Sequence, residues 1–321
     1  MLSKRLRRRL RQIDGREVER AGQEASEDAN DRELTLRDPV RVGTPGLSRH
    51  YLADRDEASS RGTEMRETAG ATTTDPPRGS LEELVPGKTV KTNEGSYWLI
   101  EQPVAEIFPY AARVLKRFGS LMSRLEGVRA SDLFGLSSIS SSELILLDTE
   151  TAGLSSAPIF LVGLIAWKSD SAEEALSLQL LARDYAEERA VLAASAELLQ
   201  GCRTLMTYNG KSFDLPLMRE RMIYHGLGEC PEPLTHLDLL YPVRERFRRR
   251  WENCKLTTVE RNLCGRLRRD DIPGADIPDA YHDFVHTGDA AEIARVLEHN
   301  RLDLITMLEA LPYLQDAGDS R

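Results

Sequence analysis

Five residues able to bind metal ions or to move protons stand at three separate places in the sequence: Asp148 with Glu150, then Asp214, then His299 with Asp303. Asp148 and Glu150 flank Thr149 after an apolar run, a spacing that places both carboxylates on one face of an extended strand. Two such anions repel each other, and a hard cation such as Mg²⁺ or Mn²⁺ would offset the repulsion. The alternative is a strand that simply ends in solvent.

The other two places each have an ordinary structural explanation as well. Asp214 directly precedes Leu215 and Pro216, which is also the pattern of a helix N-cap. His299 and Asp303 are four positions apart and therefore share one face of a helix, as a surface ion pair would. The combination of the three places favours a single acidic site over three unrelated features.

Residues 146–154, 207–214 and 299–303 contain these side chains within longer motifs, and further matching segments lie at 236–240, 271–274, 277–278 and 287–289. The three motifs resemble those of the DEDD exonuclease superfamily, and the closest resemblance is to its YprB-like ribonuclease H-like branch. The resemblance extends over residues 144–311, just over half of the chain.

This resemblance implies an α/β fold in which helices flank a mixed five-stranded sheet on both faces. It also implies two divalent ions, Mg²⁺ or Mn²⁺, about 3.5 to 4 Å apart, which activate a water and stabilise the leaving oxygen of a phosphodiester. The metal ligands would be Asp148, Glu150, Asp214 and Asp303. The expected substrate-binding residues are Thr151, Leu154, Asn209 and Phe213.

His299 is the expected general base, because a histidine near its ordinary pKa can accept a proton at neutral pH. One departure from the family pattern concerns its position. In the histidine-bearing class this residue usually stands five positions before the final Asp, whereas here it stands four before, as in the tyrosine-bearing class. A hydrogen-bonding or substrate-positioning role for His299 therefore stays open.

The function predicted on this basis is a metal-dependent nuclease acting as a 3′-to-5′ exonuclease on DNA or RNA, at single-stranded ends. A structure-selective endonuclease is an alternative, because ribonuclease H-like sheets support both activities. A catalytically silent nucleic-acid-binding module is a third alternative, which the presence of all four carboxylates disfavours.

The elements that must position these residues follow from the hydrophobic pattern. Residues 144–147, 159–167 and 176–181 are strand-like in close succession and predict an antiparallel meander. Helices at 187–199 and 215–224 then alternate with strands at 203–208 and 237–241, which predicts a mixed sheet. Gly95 marks a turn between two short strands, and residues 111–125 have helical periodicity. We divide the chain into a charged, disordered leader (1–85), a lead-in hairpin and helix with a linker (86–142) and the ribonuclease H-like domain (143–316).

Composition and charge add broad limits. The net charge is −9, yet the basic residues are clustered at 4–11 and at 244–250, and either cluster could contact phosphates. A solvated surface is the alternative for both, and the first could equally be a membrane-surface or targeting segment. Four scattered cysteines indicate reduced thiols, and no apolar run is long enough to cross a bilayer. We therefore expect a cytoplasmic protein without a transmembrane segment.

Overall fold

The computed structural model describes residues 78–125 and 140–316. A short helix, α1 (Leu81–Leu84), begins at a capping box formed by Ser80 and Glu83 and places Leu81 in the core. The hairpin of β1 (Lys88–Thr92) and β2 (Gly95–Pro103) follows. Gly95 turns the chain at a φ of 122°, which a residue without a side chain adopts at little cost. Two further helices, α2 (Val104–Ile107) and α3 (Ala111–Leu125), complete this part.

The centre of the fold is the predicted antiparallel meander of β3 (Leu144–Thr151), β4 (Ile159–Trp167) and β5 (Ala175–Leu181). Every residue of β4 is buried, which explains its continuous apolar sequence. The chain then alternates between helices and strands through α4 (Glu188–Leu199), β6 (Thr204–Thr207), α5 (Asp214–Tyr224) and β7 (Thr235–Asp238). Strands β6 and β7 run parallel to β3.

The sheet has seven strands in the order β1-β2-β5-β4-β3-β6-β7, so the expectation of five strands was wrong. The hairpin accounts for the difference, because β2 pairs antiparallel with β5 from Trp98 opposite Leu181 to Pro103 opposite Leu176. Without the hairpin, β5 would be an edge strand with unpaired backbone groups. The segment that the sequence suggested as a lead-in therefore extends the sheet itself.

The last third of the chain is helical. It contains α6 (Leu240–Phe247), α7 (Leu256–Val259), a π-helical turn at Glu260–Cys264, α8 (Ile277–Thr287) and α9 (Ala291–Asp316). Among residues 78–125 and 140–316, none of the helices combines the length and apolar character needed to cross a bilayer. The basic residues at 4–11 and most of the predicted leader lie outside the described residues.

Both faces of the sheet are covered. One core cluster joins the hairpin, α4, α5 and α8 to the face that carries Ile145 and Leu147. A second joins α3, α6 and α7 to the face that carries Leu144 and Leu146. Helix α9 contributes to both clusters, through Val296 to the first and Leu304 to the second. Its middle turns are thereby fixed beside the end of β3.

Candidate functional site

The candidate site lies at the carboxyl end of β3. Because β3, β6 and β7 are parallel, their carboxyl ends share one edge of the sheet. Asp148 and Glu150 are the last acidic residues of β3, and the loop after β6 leads directly into Asp214. The middle of α9 brings His299 and Asp303 to the same edge. The structure thus gathers all five predicted catalytic residues in one region.

Asp148 is held by a chain of amide hydrogen bonds that crosses the sheet. The Asn300 Nδ2 group on α9 donates to Asp148 Oδ2 at 2.8 Å, and Gln179 Nε2 on β5 donates to Asn300 Oδ1 at 2.9 Å. Gly163 lies opposite Asp148 in the β3–β4 register. A Cβ atom at Gly163 would come within 2.0 Å of Asn300 Oδ1. A side chain at this position would therefore displace the amide that orients Asp148.

Asp214 is fixed by the strand rather than by its own helix. Its Oδ1 accepts hydrogen bonds from the backbone N–H of Thr149 at 3.1 Å and from Thr149 Oγ1 at 2.6 Å. Asp214 is the first residue of α5, and its neighbour Phe213 provides no side-chain cap. The carboxylate is buried. The N-cap explanation that the sequence left open is thus replaced by a direct connection to the central residue of the Asp148–Glu150 segment.

His299 lies between two carboxylates. Its Nδ1 group donates to Asp271 Oδ1 at 2.8 Å, and its Nε2 atom lies 3.7 Å from Asp303 Oδ2. Asp303 also accepts a hydrogen bond from Arg268. The Asp271 contact fixes which nitrogen of the ring faces the site, because Nδ1 carries the donated hydrogen and Nε2 is left toward Asp303.

Arg268 connects the site to a buried ionic network. Its side chain is only 6% exposed and also contacts Asp271 at 3.3 Å and Glu260 at 2.6 Å. Glu260, in the π-helical turn, further accepts from Arg266 at 2.8 Å. Desolvation lowers the pKa of Arg268, but the charges and hydrogen bonds of Asp303 and Glu260 outweigh it and the pKa is raised. A permanent cation is therefore built in beside Asp303, where it offsets part of the acidic charge.

The carboxylates destabilise one another's charged forms. Burial and the nearby charges of Asp303, Glu150 and Asp214 raise the pKa of Asp148 well above its ordinary value. Burial, opposed by His299, raises the pKa of Glu150 to about 8. Burial raises the pKa of Asp214 to about 6, despite the hydrogen bonds from Thr149. Full ionisation of Asp148 and Glu150 at neutral pH thus requires added positive charge.

The ionisation of His299 differs from the expectation. Burial lowers its pKa, but the hydrogen bond to Asp271 and the charges of Asp303 and Glu150 outweigh burial and raise the pKa to about 9. In this arrangement the ring is protonated at neutral pH and cannot accept a proton. Cations bound to the carboxylates would cancel part of the negative charge and lower the pKa of His299 toward its ordinary value.

The donor set fits a hard divalent cation in type, since four carboxylates supply oxygen ligands. Burial, followed by the charges of neighbouring carboxylates, raises the pKa values of Asp148 and Glu150. Within residues 78–125 and 140–316, no three carboxylate, imidazole or thiolate groups lie close enough together to hold a metal ion in their present positions. Asp303 faces Arg268 and Asp214 faces Thr149 instead. Ion binding would thus involve rotation of these side chains.

The predicted substrate-binding residues lie on the loops around this edge. Leu154 is 72% exposed and Phe213 is 44% exposed, so both present apolar surface to solvent. Asn209 has a φ of 69°, and its backbone N–H donates to Asp238 Oδ1 at 2.8 Å. Thr151 Oγ1 donates to the Gly153 carbonyl at 2.8 Å, which shapes the loop that carries Leu154.

Four residues that position the site were not singled out from the sequence: Asn300, Asp271, Arg268 and Asp238. Asp238, at the end of β7, accepts from the backbone N–H groups of Asn209 and Lys211 and so holds the loop before Asp214. Asp271 and Asp238 fall within the matching segments, which is a signal that could have found them. Arg268 belongs to a short basic run, a pattern that is typical of a solvent-exposed surface, so the sequence does not indicate that its side chain is buried.

The fold agrees with the sequence comparisons. The RNase_H superfamily matches residues 145–314, and the chain therefore belongs to that superfamily. It is similar to "Uncharacterized protein YprB" of Bacillus subtilis (strain 168), with 31% identity over 170 residues. The match covers 51% of this chain and 40% of YprB, so the chain spans well under two thirds of that relative. The resemblance to the YprB-like ribonuclease H-like family is thereby confirmed.

Among solved structures, the chain is similar to the family B DNA polymerase from the hyperthermophilic archaeon Pyrobaculum calidifontis. The alignment has 18% identity and a TM-score of 0.42 and covers 53% of this chain and 24% of the polymerase.

Proposed function

We propose that this protein is a metal-dependent nuclease that removes nucleotides from the 3′ end of DNA or RNA. The observation that carries the proposal is the cluster of Asp148, Glu150, Asp214 and Asp303 at one edge of the sheet. The raised pKa values of Asp148, Glu150 and Asp214 support a site whose ionised form is stabilised by bound cations. Membership of the RNase_H superfamily supports a hydrolytic reaction on nucleic acid.

The four carboxylates would hold two Mg²⁺ or Mn²⁺ ions. Bound ions supply the positive charge that acidifies an attacking water and stabilises the leaving oxygen in phosphodiester hydrolysis. Around them, Asn300 orients Asp148, Thr149 orients Asp214, and Arg268 orients Asp303. His299 would accept the water proton at Nε2, because its Nδ1–H is already donated to Asp271.

The exposed apolar side chains of Leu154 and Phe213 would contact the terminal nucleotide, which favours a single-stranded end over a paired one. All four cysteines are free thiols, which supports a reducing compartment such as the cytoplasm.

A digestion panel tests the reaction. Single-stranded DNA, double-stranded DNA and RNA, each with a free or a blocked 3′ end, are incubated with Mn²⁺ and the purified protein. We expect mononucleotide release from free 3′ ends, protection by the 3′ block and loss of all cleavage in EDTA. Cleavage of a closed circular substrate would reassign the protein to the endonucleases, and metal-independent or absent cleavage would contradict the proposal.

Ion binding is tested separately from turnover. A ligand that binds the folded state alone stabilises it by mass action, so Mn²⁺ is expected to raise the melting temperature of the protein relative to EDTA. Asp148→Asn should abolish this increase, whereas Asp279→Asn, at an exposed position on α8, should retain it. Identical melting of the wild-type protein in saturating Mn²⁺ and in EDTA would contradict the metal site.

A further inference from the structure

The solvent-facing side of α3 is a basic surface that neither the fold nor the candidate site requires. The helix carries Arg113, Lys116, Arg117 and Arg124, and none of its fifteen residues is acidic. These positions recur at helical spacing and share one face. In a chain of net charge −9, such a segment is a pronounced local excess of positive charge.

The opposite side of α3 packs against the core. Val114, Leu115, Phe118 and Leu121 are all buried against the cluster that contains the second half of α9. The helix therefore cannot leave the fold to insert its apolar face into another surface. The backbone that carries the basic side chains is thereby fixed to the core.

The basic side chains surround a cavity between α3 and α9. The cavity has a volume of about 240 Å³ and is lined by Arg113, Lys116, Arg117, Ser120, Arg124 and Pro312. The guanidinium of Arg117 stacks on the ring of Tyr313, 4.1 Å from its centroid, and donates to the Tyr313 hydroxyl. One cation of the array is thus fixed in place, which lowers the entropic cost of binding an anion.

Helix geometry separates this cavity from the candidate site. Asp303 and Pro312 are nine positions apart on α9, which corresponds to about 13.5 Å along the axis and to opposite faces of the helix. The cavity is therefore not part of the carboxylate cluster. Helices α3 and α6 contribute to the same core cluster, so the basic surface lies on the same side of the sheet as residues 244–250.

We propose that this face of α3 binds the phosphodiester backbone of nucleic acid at a distance from the scissile bond, an inference that rests on the proposed nuclease function. From Arg113 to Arg124 the array extends about 16.5 Å along the helix axis. Along the axis of a B-form duplex, that length corresponds to about five phosphates of one strand at 3.4 Å each. Three of the four cations are arginines, whose planar donors match phosphate oxygens.

A membrane surface is the less suitable partner. Interfacial helices place large apolar side chains beside their basic residues. Here Val114, Leu115, Phe118 and Leu121 are buried and Met122 is partly buried against the same core. The exposed large hydrophobic side chains of the described residues all lie on other elements. Nothing on this face can enter the acyl region of a bilayer.

Binding is measured by fluorescence anisotropy in EDTA, so that neither bound metal nor cleavage is involved. The probes are labelled single strands of about 6 and about 40 nucleotides, chosen to be shorter and longer than the site and array together. The variant Arg113→Gln/Lys116→Gln removes two exposed cations, and Lys91→Gln/Lys255→Gln removes two exposed cations elsewhere as the matched control. Circular dichroism and melting temperature verify that both variants are folded.

We expect the α3 variant to bind the long strand more weakly and with a salt slope lower by about 1.4, since each phosphate contact contributes about 0.7 on single strands. Binding of the short strand and all properties of the control should be unchanged. The assignment would be overturned if both variants lost the same affinity for the long strand or if the salt slope of the α3 variant were unchanged. It would also be overturned if the α3 variant lost only binding to phosphatidylserine vesicles. If the wild-type protein digests the long strand but the α3 variant binds it normally, the proposed nuclease function is retained and the proposed binding role of the α3 surface is contradicted.

Discussion

Asp148 and Asp303 are both acidic, but the structure gives them opposite electrostatic surroundings. Asp148 faces a neutral amide and three other carboxylates, whereas Asp303 faces the guanidinium of Arg268. The folded protein without bound ions therefore disfavours the charge of Asp148, whereas the carboxylate of Asp303 has a cationic partner in Arg268. The two residues should therefore affect the stability of the metal-free protein in opposite directions, although both are needed for cleavage.

Asparagine substitutions should reveal that difference. We expect Asp148→Asn and Asp303→Asn both to abolish Mn²⁺-dependent cleavage, because each removes a ligand charge with little change in volume. In EDTA, however, Asp148→Asn should raise the melting temperature and Asp303→Asn should lower it. Calorimetry of both variants beside Asp279→Asn measures this. A variant at either position with near-normal turnover would refute its assignment as a ligand.

The role of His299 depends on its Nε2 atom, since Nδ1 is bonded to Asp271. If Nε2 takes the proton from water, His299→Ala should lower kcat by about 10²- to 10⁴-fold. The rate of the wild-type protein should fall as the pH drops through the pKa of His299, and the variant should lose that limb. Mn²⁺ affinity, followed by the melting shift, should barely change. Retained activity in His299→Tyr would instead indicate a positioning role, as the four-residue offset from Asp303 allows.

At the scale of elements, the strands around the site were largely predictable and their side-chain partners were not. The boundaries of β4 agree with its uninterrupted apolar run, and the meander was inferred from three such runs in succession. Strand β7 was misplaced, since only four residues pair and α6 begins two residues later. Its short apolar segment continues into the helix, so the pattern does not mark the boundary.

In the candidate site, too, the acidic residues were predictable from the sequence and their hydrogen-bond partners were not. The acids follow from local patterns, because a strand end and a helix face fix their direction. Arg268 and Asn300 could not be assigned this way, since their importance depends on contacts with residues 35 and 152 positions away in the chain. Hydrophobic periodicity contains no information about such partners. The hairpin likewise joined the sheet through pairing with β5, which only the tertiary fold determines.

The packing of β4 against α9 gives a test at this scale. Gly163→Ala places a methyl group against Asn300, so Asn300 must move away from Asp148. We expect the free energy of unfolding to fall by about 1–3 kcal/mol and Mn²⁺ affinity to weaken. Gly274→Ala is the control, because a Cβ there meets no atom within 4 Å. Urea denaturation and Mn²⁺ titration of both variants measure these changes. Equal unfolding free energies and equal Mn²⁺ affinities in the two variants would contradict the proposed link between β4 and the site.

Helices α4 and α5 are joined by a buried ionic network away from the site. Glu188 accepts from Arg221 at 2.8 and 2.6 Å, from His225 at 2.7 Å and from the Ile159 N–H at 2.9 Å. Burial alone would raise the pKa of Glu188, but these hydrogen bonds outweigh it and the pKa is lowered. The stability that Glu188 contributes is therefore present above its ordinary pKa of 4.5 and is lost as the pH falls through the lower pKa of the folded state.

Glu188→Gln should consequently destabilise the protein in a pH-dependent manner. At pH values near neutrality we expect a loss of about 3 kcal/mol, because Arg221 is left buried without its anion. Toward acid pH the difference between variant and wild type should narrow, as the wild-type carboxyl becomes protonated. Urea denaturation across this range measures it, with Glu229→Gln as the exposed control. A difference that is constant with pH would contradict the assigned ionisation.

At the scale of the whole molecule, an acidic protein must still attract a polyanion. The net charge of −9 opposes approach of nucleic acid, and the carboxylate cluster adds to the repulsion until cations bind. Within the described residues, however, two groups of basic side chains are concentrated on the α3 surface and at residues 244–250. The second group follows β7, whose carboxyl end lies at the same edge of the sheet as the candidate site. It is therefore well placed to offset the repulsion where the substrate enters.

Neutralising Arg248, Arg249 and Arg250, all exposed, should test this local compensation. We expect these residues, which follow α6, to contact the substrate beside the site, so the variant with Gln at all three positions should bind even the short single strand more weakly. Its salt slope should fall by about 2, from three lost contacts of about 0.7 each. The variant Arg113→Gln/Lys116→Gln should affect only the long strand, so the two basic groups are distinguished by substrate length. If the slope and affinity of the triple variant equal those of wild type, residues 248–250 form an ordinary solvated surface and another part of the chain must attract the substrate.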